Sequence, residues 1–257
     1  MKSLFYKYFF IGCLLFCGMN PSFAQNIDKQ EEKEIVYSKE WITGLKLHTN
    51  GYGLFITFGK ILDRKNKRLF TIELQEIKHP RQIKRPISDV SQPPQSYYFG
   101  KQNTFLNLNG YYVFERVLAE KGRKNGVLVS WRYGGGLSLG LVKPYYLRIS
   151  QSDGFFGEVV DQKYDPDEIG SRFLSESNIE GSSSFFEGIG ETKVIPGAVL
   201  QSSLVFDWAN YNQWIKAVEL GAMSNIYYKR IPIMITEDNS FFYFNFYLKF
   251  LFGERKE

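Results

Sequence analysis

Ser240-Phe241-Phe242-Tyr243-Phe244-Asn245-Phe246-Tyr247-Leu248-Lys249-Phe250-Leu251-Phe252 is the stretch on which the reading of this chain turns. Phe242, Phe244, Phe246, Leu248, Phe250 and Phe252 share one parity, while Tyr243, Asn245, Tyr247 and Lys249 share the other. Successive side chains of a strand point to opposite faces, so the pattern specifies a strand with one apolar and one mostly polar face.

Upstream segments repeat it. Trp41, Thr43, Leu45 and Leu47 alternate with Gly44, Lys46 and His48, and Asn50-Gly51 then offers the left-handed residues of a tight hairpin. Tyr52, Leu54, Ile56 and Phe58 resume the apolar parity, and Phe70, Ile72 and Leu74 alternate with Thr71, Glu73 and Gln75. Leu106, Leu108, Tyr112 and Phe114 stand against Asn107, Asn109 and Glu115. Val127, Val129, Trp131, Tyr133, Leu137, Leu139 and Leu141 stand against Ser130, Arg132 and Ser138. Leu200, Leu204 and Phe206 oppose Gln201, Ser203 and Asp207, and Val218, Leu220, Ala222 and Ile226 oppose Glu219, Gly221 and Asn225. With the terminal stretch this makes about eight strands, each with a greasy face that must meet either a second sheet or lipid.

The connections favour lipid. With an even strand count both ends of the chain fall on one side, and Asp63–Arg68, Ala119–Gly126 and Asp207–Gln213 join strands on that side as short turns. Lys78–Asn103, Ser150–Pro196 and Ile231–Asn239 fall on the other and are mostly longer, the asymmetry of outer-membrane barrels. The expected fold is all-β, an antiparallel up-and-down transmembrane β-barrel over residues 37–253, with a charged tail at 254–257. A soluble lipocalin-like barrel is the rival, and it would turn the apolar parity inward. Trp41, Tyr52, Tyr97, Tyr98, Tyr145, Tyr146, Trp208, Trp214, Tyr227 and Tyr228 sit near strand ends, as interfacial girdles or as ordinary strand aromatics.

At the start of the chain, Lys2 and Lys7 flank the apolar run Phe9–Met19, and Ser22 and Ala24 form an Ala-x-Ala-like cleavage site. Residues 1–24 therefore read as a secretory signal peptide, too short for a spanning helix, with Gln25 as the first mature residue. A lipoprotein signal competes because of Cys13 and Cys17, but Phe16 is bulky where that cleavage wants a small side chain. Cleavage removes both cysteines and with them disulfide, thiol-nucleophile and thiolate-metal chemistry. Residues 25–36 form a charged periplasmic leader. The chain is 44% hydrophobic and 17% aromatic, yet its mean hydropathy is only -0.27, because polar residues alternate with apolar ones. Its net charge of +5 is scattered over turns and loops, which argues against nucleic acid as a partner.

The alternating aromatic strands, the signal-like start and the ending Phe246-Tyr247-Leu248-Lys249-Phe250-Leu251-Phe252-Gly253 resemble the small outer-membrane β-barrel proteins of Gram-negative bacteria, of the Bacteroidota porin-like and OmpA-transmembrane-like type. The resemblance covers roughly residues 37–253 and rests on pattern without a diagnostic motif. It implies outer-membrane lipid as the surround and the barrel-assembly machinery as a partner that reads the last strand at Phe250 and Phe252. This chain departs from that pattern by continuing through Gly253-Glu254-Arg255-Lys256-Glu257.

An interior of eight strands is about wide enough for its own side chains, so inward charges must pair. The parity predicts a lumen network of Lys46, Arg132 and Lys249 with Glu73 and Glu219, and it places His48, Gln75, Asn107, Asn109, Glu115, Gln201, Asp207 and Asn245 inside as well. Such a network is either a plug or the lining of a narrow ion path. Gly134-Gly135-Gly136 lacks phosphate-loop spacing, and such strand glycines instead curve the wall or make room for a large side chain opposite.

The outer connections differ in charge. Arg81, Lys84 and Arg85 make the first basic, whereas Asp161, Asp165, Asp167, Glu168, Glu176, Glu180 and Glu187 make the second acidic, so the two are expected to dock and to loosen in salt. The run Asp161–Glu168 lacks the spacing of a calcium loop, and no metal or cofactor is expected. Catalysis would require His48 or His79 beside a serine and a carboxylate, with Ser88 and Asp89 nearest His79 in sequence. The basic turns Arg64–Arg68 and Lys121–Lys124 face lipid headgroups or an acidic partner. Together these features point to a non-enzymatic barrel with a filled lumen, acting through its outer loops or within an envelope assembly. A small-solute channel and a lipid-A-modifying enzyme are the alternatives.

Overall fold

The computed structural model describes residues 37–87, 95–121, 126–150, 159–165, 173–209, 213–235 and 237–256. The signal peptide 1–24, the leader 25–36, Ser88, Asp89, Asp167 and Glu168 lie outside the described residues. Strands follow in the order β1 (Lys39–His48), β2 (Gly51–Ile61), β3 (Asn66–Ile77), β4 (Lys84–Ile87), β5 (Gln95–Tyr98), β6 (Asn103–Ala119) and β7 (Leu128–Pro144). The second half continues with β8 (Tyr146–Ser150), β9 (Val159–Lys163), β10 (Ile179–Ser182), β11 (Lys193–Asp207), β12 (Trp214–Tyr227) and β13 (Phe242–Lys256).

Eight of them, β1, β2, β3, β6, β7, β11, β12 and β13, form a closed barrel in which each neighbours the next in the chain. All pairs are antiparallel, so this is an up-and-down meander. The first strand closes on the last through the register Lys39↔Lys256 to His48↔Tyr247, which removes both sheet edges. Strands of 10 to 17 residues exceed or match the 9–11 needed to cross a bilayer at a tilt, and the longest project beyond it.

Burial follows parity along the wall, except at the outer ends of β6 and β7, where Thr104 and Lys143 are buried beside Phe105 and Val142. Leu45, Leu54, Leu74, Leu137, Leu200, Leu220, Phe244 and Phe246 are exposed on the outside, while Lys46, Glu73, Asn109, Arg132, Gln201, Glu219 and Lys249 are buried within. A charged interior beneath an apolar exterior is the inverse of a soluble barrel, and it is the arrangement that lipid demands. The protein is therefore a transmembrane β-barrel.

Three local expectations change. The β1–β2 turn is centred on Thr49 and Asn50, with Gly51 already paired to His48. No non-glycine residue among those described has a positive φ, so Asn50 is not left-handed. Neighbours hold the turn instead: Thr49 N–H donates to Phe246 O at 3.0 Å, and Asn50 O accepts from Lys78 N–H at 2.8 Å. Glu254, Arg255 and Lys256 are not a tail but the end of β13, paired with Trp41, Glu40 and Lys39. Of the strand-end aromatics, Trp41, Tyr52, Trp208, Trp214 and Tyr228 are exposed, whereas Tyr97 and Tyr227 are buried and belong to no girdle.

The described parts of the long outer connections are folded. Strand β4 pairs with β5, and β8 lies between β9 and β10 in a second small sheet. Tyr97, Leu147, Ile149, Phe173 and Ile179 form a core between them, flanked by Phe99, Tyr145, Tyr164 and Ile235. This cap is a packed layer at the outer end.

Candidate functional site

The lumen is filled in layers. At its outer mouth the segment after β12 folds inward, and Ile231, Ile233 and Met234 pack against Ile77, Phe105, Val142, Ile195, Tyr227 and Tyr243. Asn239 fastens the segment: its Oδ1 accepts from the N–H groups of Ile233 at 2.7 Å and Met234 at 3.1 Å, and its Nδ2 donates to Met234 O at 2.8 Å. Below this, Ser138 Oγ donates to Asn107 Oδ1 at 2.8 Å and sits 2.9 Å from the Tyr227 hydroxyl.

The central layer is built on Glu73. Its Oε1 accepts from Lys46 Nζ at 2.7 Å and Asn109 Nδ2 at 3.3 Å, and its Oε2 from Lys249 Nζ at 2.8 Å and Tyr111 Oη at 3.0 Å. Lys249 Nζ also lies 4.8 Å from the Phe55 ring centre and 5.0 Å from that of Tyr247. The next layer is built on Arg132, whose Nε donates to Glu115 at 2.7 Å and whose Nη1 donates to Glu219 at 2.8 Å. Lys67 joins Glu115 to Glu40 at 3.3 and 2.9 Å, and Arg255 joins Glu40 to Asp207 at 3.4 and 3.0 Å.

Each of the five network residues named from parity is thus placed in the lumen, in two clusters. Glu73 lies with Lys46 and Lys249, and Glu219 lies with Arg132. Glu115, which parity also places inside, joins the Arg132 cluster, and Tyr111 was the missing member; it shares the parity of Asn107 and Asn109, which was the available signal. The glycines explain how Tyr111 fits. Gly136 is its cross-strand partner, and a Cβ there would fall 2.6 Å from Tyr111 Cα and 2.3 Å from Gly110 O. The apolar inward layer of Ile42, Phe55, Val205, Ile215, Ala217 and Leu251 was also not foreseen, because these residues share a parity with the polar ones.

In the cap, Arg85 pairs with Glu176 across the two outer connections, while Arg81 pairs with Glu237 of the third. Lys84 opens β4, exposed, and Asp161 stands on β9 opposite Arg148 in the register. Asp165 follows β9. Among the described residues the basic and acidic connections are thus joined by the Arg85–Glu176 ion pair and by a shared apolar core. At the other end Arg64 pairs with Glu120 at 2.7 Å, and Lys121 Nζ donates to Ala209 O at 2.6 Å, while Arg123 and Lys124 of the second basic turn lie outside the described residues. His48 Nδ1 accepts from Asn50 N–H and His79 Nδ1 from Arg81 N–H, each at 3.3 Å, so both rings brace local turns. Among the described residues no group of three or more His, Cys, Asp or Glu side chains is arranged to hold a metal ion.

Beneath the cap, Lys101 is 4% exposed, with its ammonium 4.9 Å from the Tyr98 ring centre and 5.1 Å from that of Tyr145. Burial pushes its pKa down to about 8; Glu76 opposes the shift, and Lys78 and Lys143 add to it.

Fold and lumen together define a closed, eight-stranded, outer-membrane-type barrel with an ion-paired interior. No family model matches the sequence, and no curated protein matches it. Among solved structures, the chain is similar to Ail, the attachment invasion locus protein of Yersinia pestis, at 6% identity and a TM-score of 0.39, over 84% of this chain and 98% of that one. It is similar also to Ail of Yersinia pestis in complex with the heparin analogue sucrose octasulfate, at 6% identity and a TM-score of 0.35, over 85% and 98% of the two chains.

Proposed function

We propose that this protein is a sealed, non-enzymatic barrel of the bacterial outer membrane that works through its folded extracellular cap. The observation that carries the reading is the continuous filling of the lumen, from Ile231 and Ile233 at the mouth, through the Glu73 and Arg132 layers, to Arg255 and Asp207 at the far end. Buried charges of this kind hold together only as pairs, and a conducting path would have to break several at once. Outer-membrane lipid surrounds the apolar belt, and the barrel-assembly machinery receives β13, whose Phe250 and Phe252 lie on the lipid parity. Within the class we place the chain with the Bacteroidota porin-like barrels, on its aromatic alternating strands. What remains for function is the cap, a surface for an extracellular or envelope partner.

Reconstitution in planar bilayers tests the seal. The expected result is no steady current at either polarity. Stable unitary currents from the purified protein would overturn the reading in favour of a channel.

A further inference from the structure

The outward face of the barrel changes character just above its apolar belt. On β2, β3, β6 and β7 the lipid-facing row Leu54, Leu74, Leu108 and Leu139 is succeeded by Tyr52, Glu76, Leu106 and Leu141, and then by Lys78, Thr104 and Lys143. Lys143 stands two residues beyond Leu141, about 7 Å at strand rise. That is the level of the headgroup layer, which extends about 5–8 Å beyond the hydrocarbon.

Outward side chains at this height should be exposed, yet Thr104 is 6% and Lys143 5% accessible, because the cap overhangs them. Between wall and cap lies a recess of about 430 Å³ lined by Lys78, Lys84, Lys101 and Lys143 against a single carboxylate, Glu76. That carboxylate pairs with Lys78, whose Nζ is 3.9 Å from it, and no carboxylate of the described residues lies within 4.0 Å of Lys101 or Lys143. Lys143 Nζ donates to the carbonyls of Glu187 at 2.7 Å and Pro144 at 3.3 Å, which orient it without cancelling its charge. A buried ammonium held by aromatic rings and carbonyls alone is a costly arrangement, and an anion relieves it. Tyr52, Tyr146, Ser183 and Ser184 complete the lining with ring faces and hydroxyl groups, which suit a sugar. The volume is at the small end for ligand sites and favours one or two sugar rings over a peptide chain.

We propose that this recess binds an anionic saccharide, a sugar ring bearing a phosphate or carboxylate, presented as the headgroup of an outer-leaflet glycolipid. The inference rests on the outward placement of the cap in the proposed function. The ammonium groups of Lys101 and Lys143 hold the anionic substituent, Lys78 and Lys84 guard the entrance, and the tyrosines receive the ring.

The test uses the full barrel, stripped of lipid in a neutral detergent and titrated with bis-phosphorylated lipid A, dephosphorylated lipid A, glucuronic acid, glucosamine 1-phosphate and a short poly-glutamate peptide. Lipid A is expected to bind saturably, at least about tenfold more tightly than its dephosphorylated form, and to weaken about tenfold or more in Lys101→Met/Lys143→Met. Binding is expected to fall as pH rises through about 8, where Lys101 gives up its proton among Glu76, Lys78 and Lys143. Each variant is first checked for heat-modifiable migration, and Lys84→Gln, at an exposed position on the same recess, serves if the double variant fails to close. Equal binding of the two lipid A forms, or undiminished binding by folded variants, overturns the proposal. Binding of glucuronic acid or glucosamine 1-phosphate without lipid A overturns the lipid source, and preference for poly-glutamate overturns the saccharide class. Absence of lipid A binding by the unmutated protein, closed and surface-exposed, refutes the recess alone. Failure of an external protease to reach the cap on whole cells refutes the placement of the cap and leaves the recess to be judged by the titration.

Discussion

Replacing Glu73 by Gln tests the central layer with almost no change of shape. The carboxylate is wholly buried and accepts from Lys46, Lys249, Asn109 and Tyr111. Either orientation of the amide aims its NH2 at an ammonium, a donor facing a donor, and leaves two buried lysines with no anion between them. Removing one partner of a buried pair costs about 3–5 kcal/mol. An independent ceiling agrees: a lysine with an ordinary pKa of about 10.4 gives up its proton at pH 7.5 for about 4 kcal/mol. Urea unfolding in phospholipid vesicles, followed by tryptophan fluorescence, should show a loss in this range. Lys46→Met added to Glu73→Gln should recover at least about 1 kcal/mol, since the two changes share one contact. A loss below about 1 kcal/mol in a correctly closed variant would refute the claim that this network holds the barrel together.

Arg132→Ala should destabilise the barrel by about 3–5 kcal/mol by leaving Glu219 without its ion-pair partner and Glu115 with Lys67 alone, yet planar-bilayer recordings should stay silent because the Glu73 layer and the Ile231–Met234 plug remain. Gly136→Val should cost at least about 1–3 kcal/mol in the urea assay, since a Cβ there meets Tyr111 and Gly110 O well inside contact distance. Limited proteolysis of the cap should be the same at low and high salt: the Arg85–Glu176 side chains are 42% and 53% exposed, so their pair contributes under about 1 kcal/mol, while Leu147→Ala in the apolar core should speed cutting. For Lys101 the folded pKa of about 8 lies below its ordinary 10.5, so between those values the unfolded chain holds a proton that the native protein has released. Stability therefore rises with pH across that window, by at most about 1.4 kcal/mol per unit, and the slope relative to Lys101→Met measures it.

The wall of the barrel was legible because period-two alternation is long-range in effect but local in signal. Leu248 and Lys249 differ in parity by one residue, and that alone sends one to lipid and the other to Glu73. The mouth was not legible. Ile231-Pro232-Ile233-Met234-Ile235 reads as an outer loop by position, and only the count of apolar residues hinted that it would turn inward as a plug. The cap shows a similar limit. Charge contrast between the connections predicted docking by attraction, whereas its larger tie is the core of Tyr97, Leu147, Ile149, Phe173 and Ile179, short segments whose pairing no local pattern announces. Arg81 finding Glu237, and Arg255 finding Glu40 and Asp207, depend on which loop or strand end lies nearby, a property of closure and not of sequence neighbours.

The most direct test of the account is where the protein resides and how it migrates. Cells are fractionated, and boiled and unboiled samples are compared on a detergent gel. A closed barrel with an outward apolar belt predicts recovery in the outer membrane and a faster band before boiling than after. Recovery as a soluble periplasmic protein with a single mobility would contradict the account, because the apolar parity would then have to face a core instead of lipid.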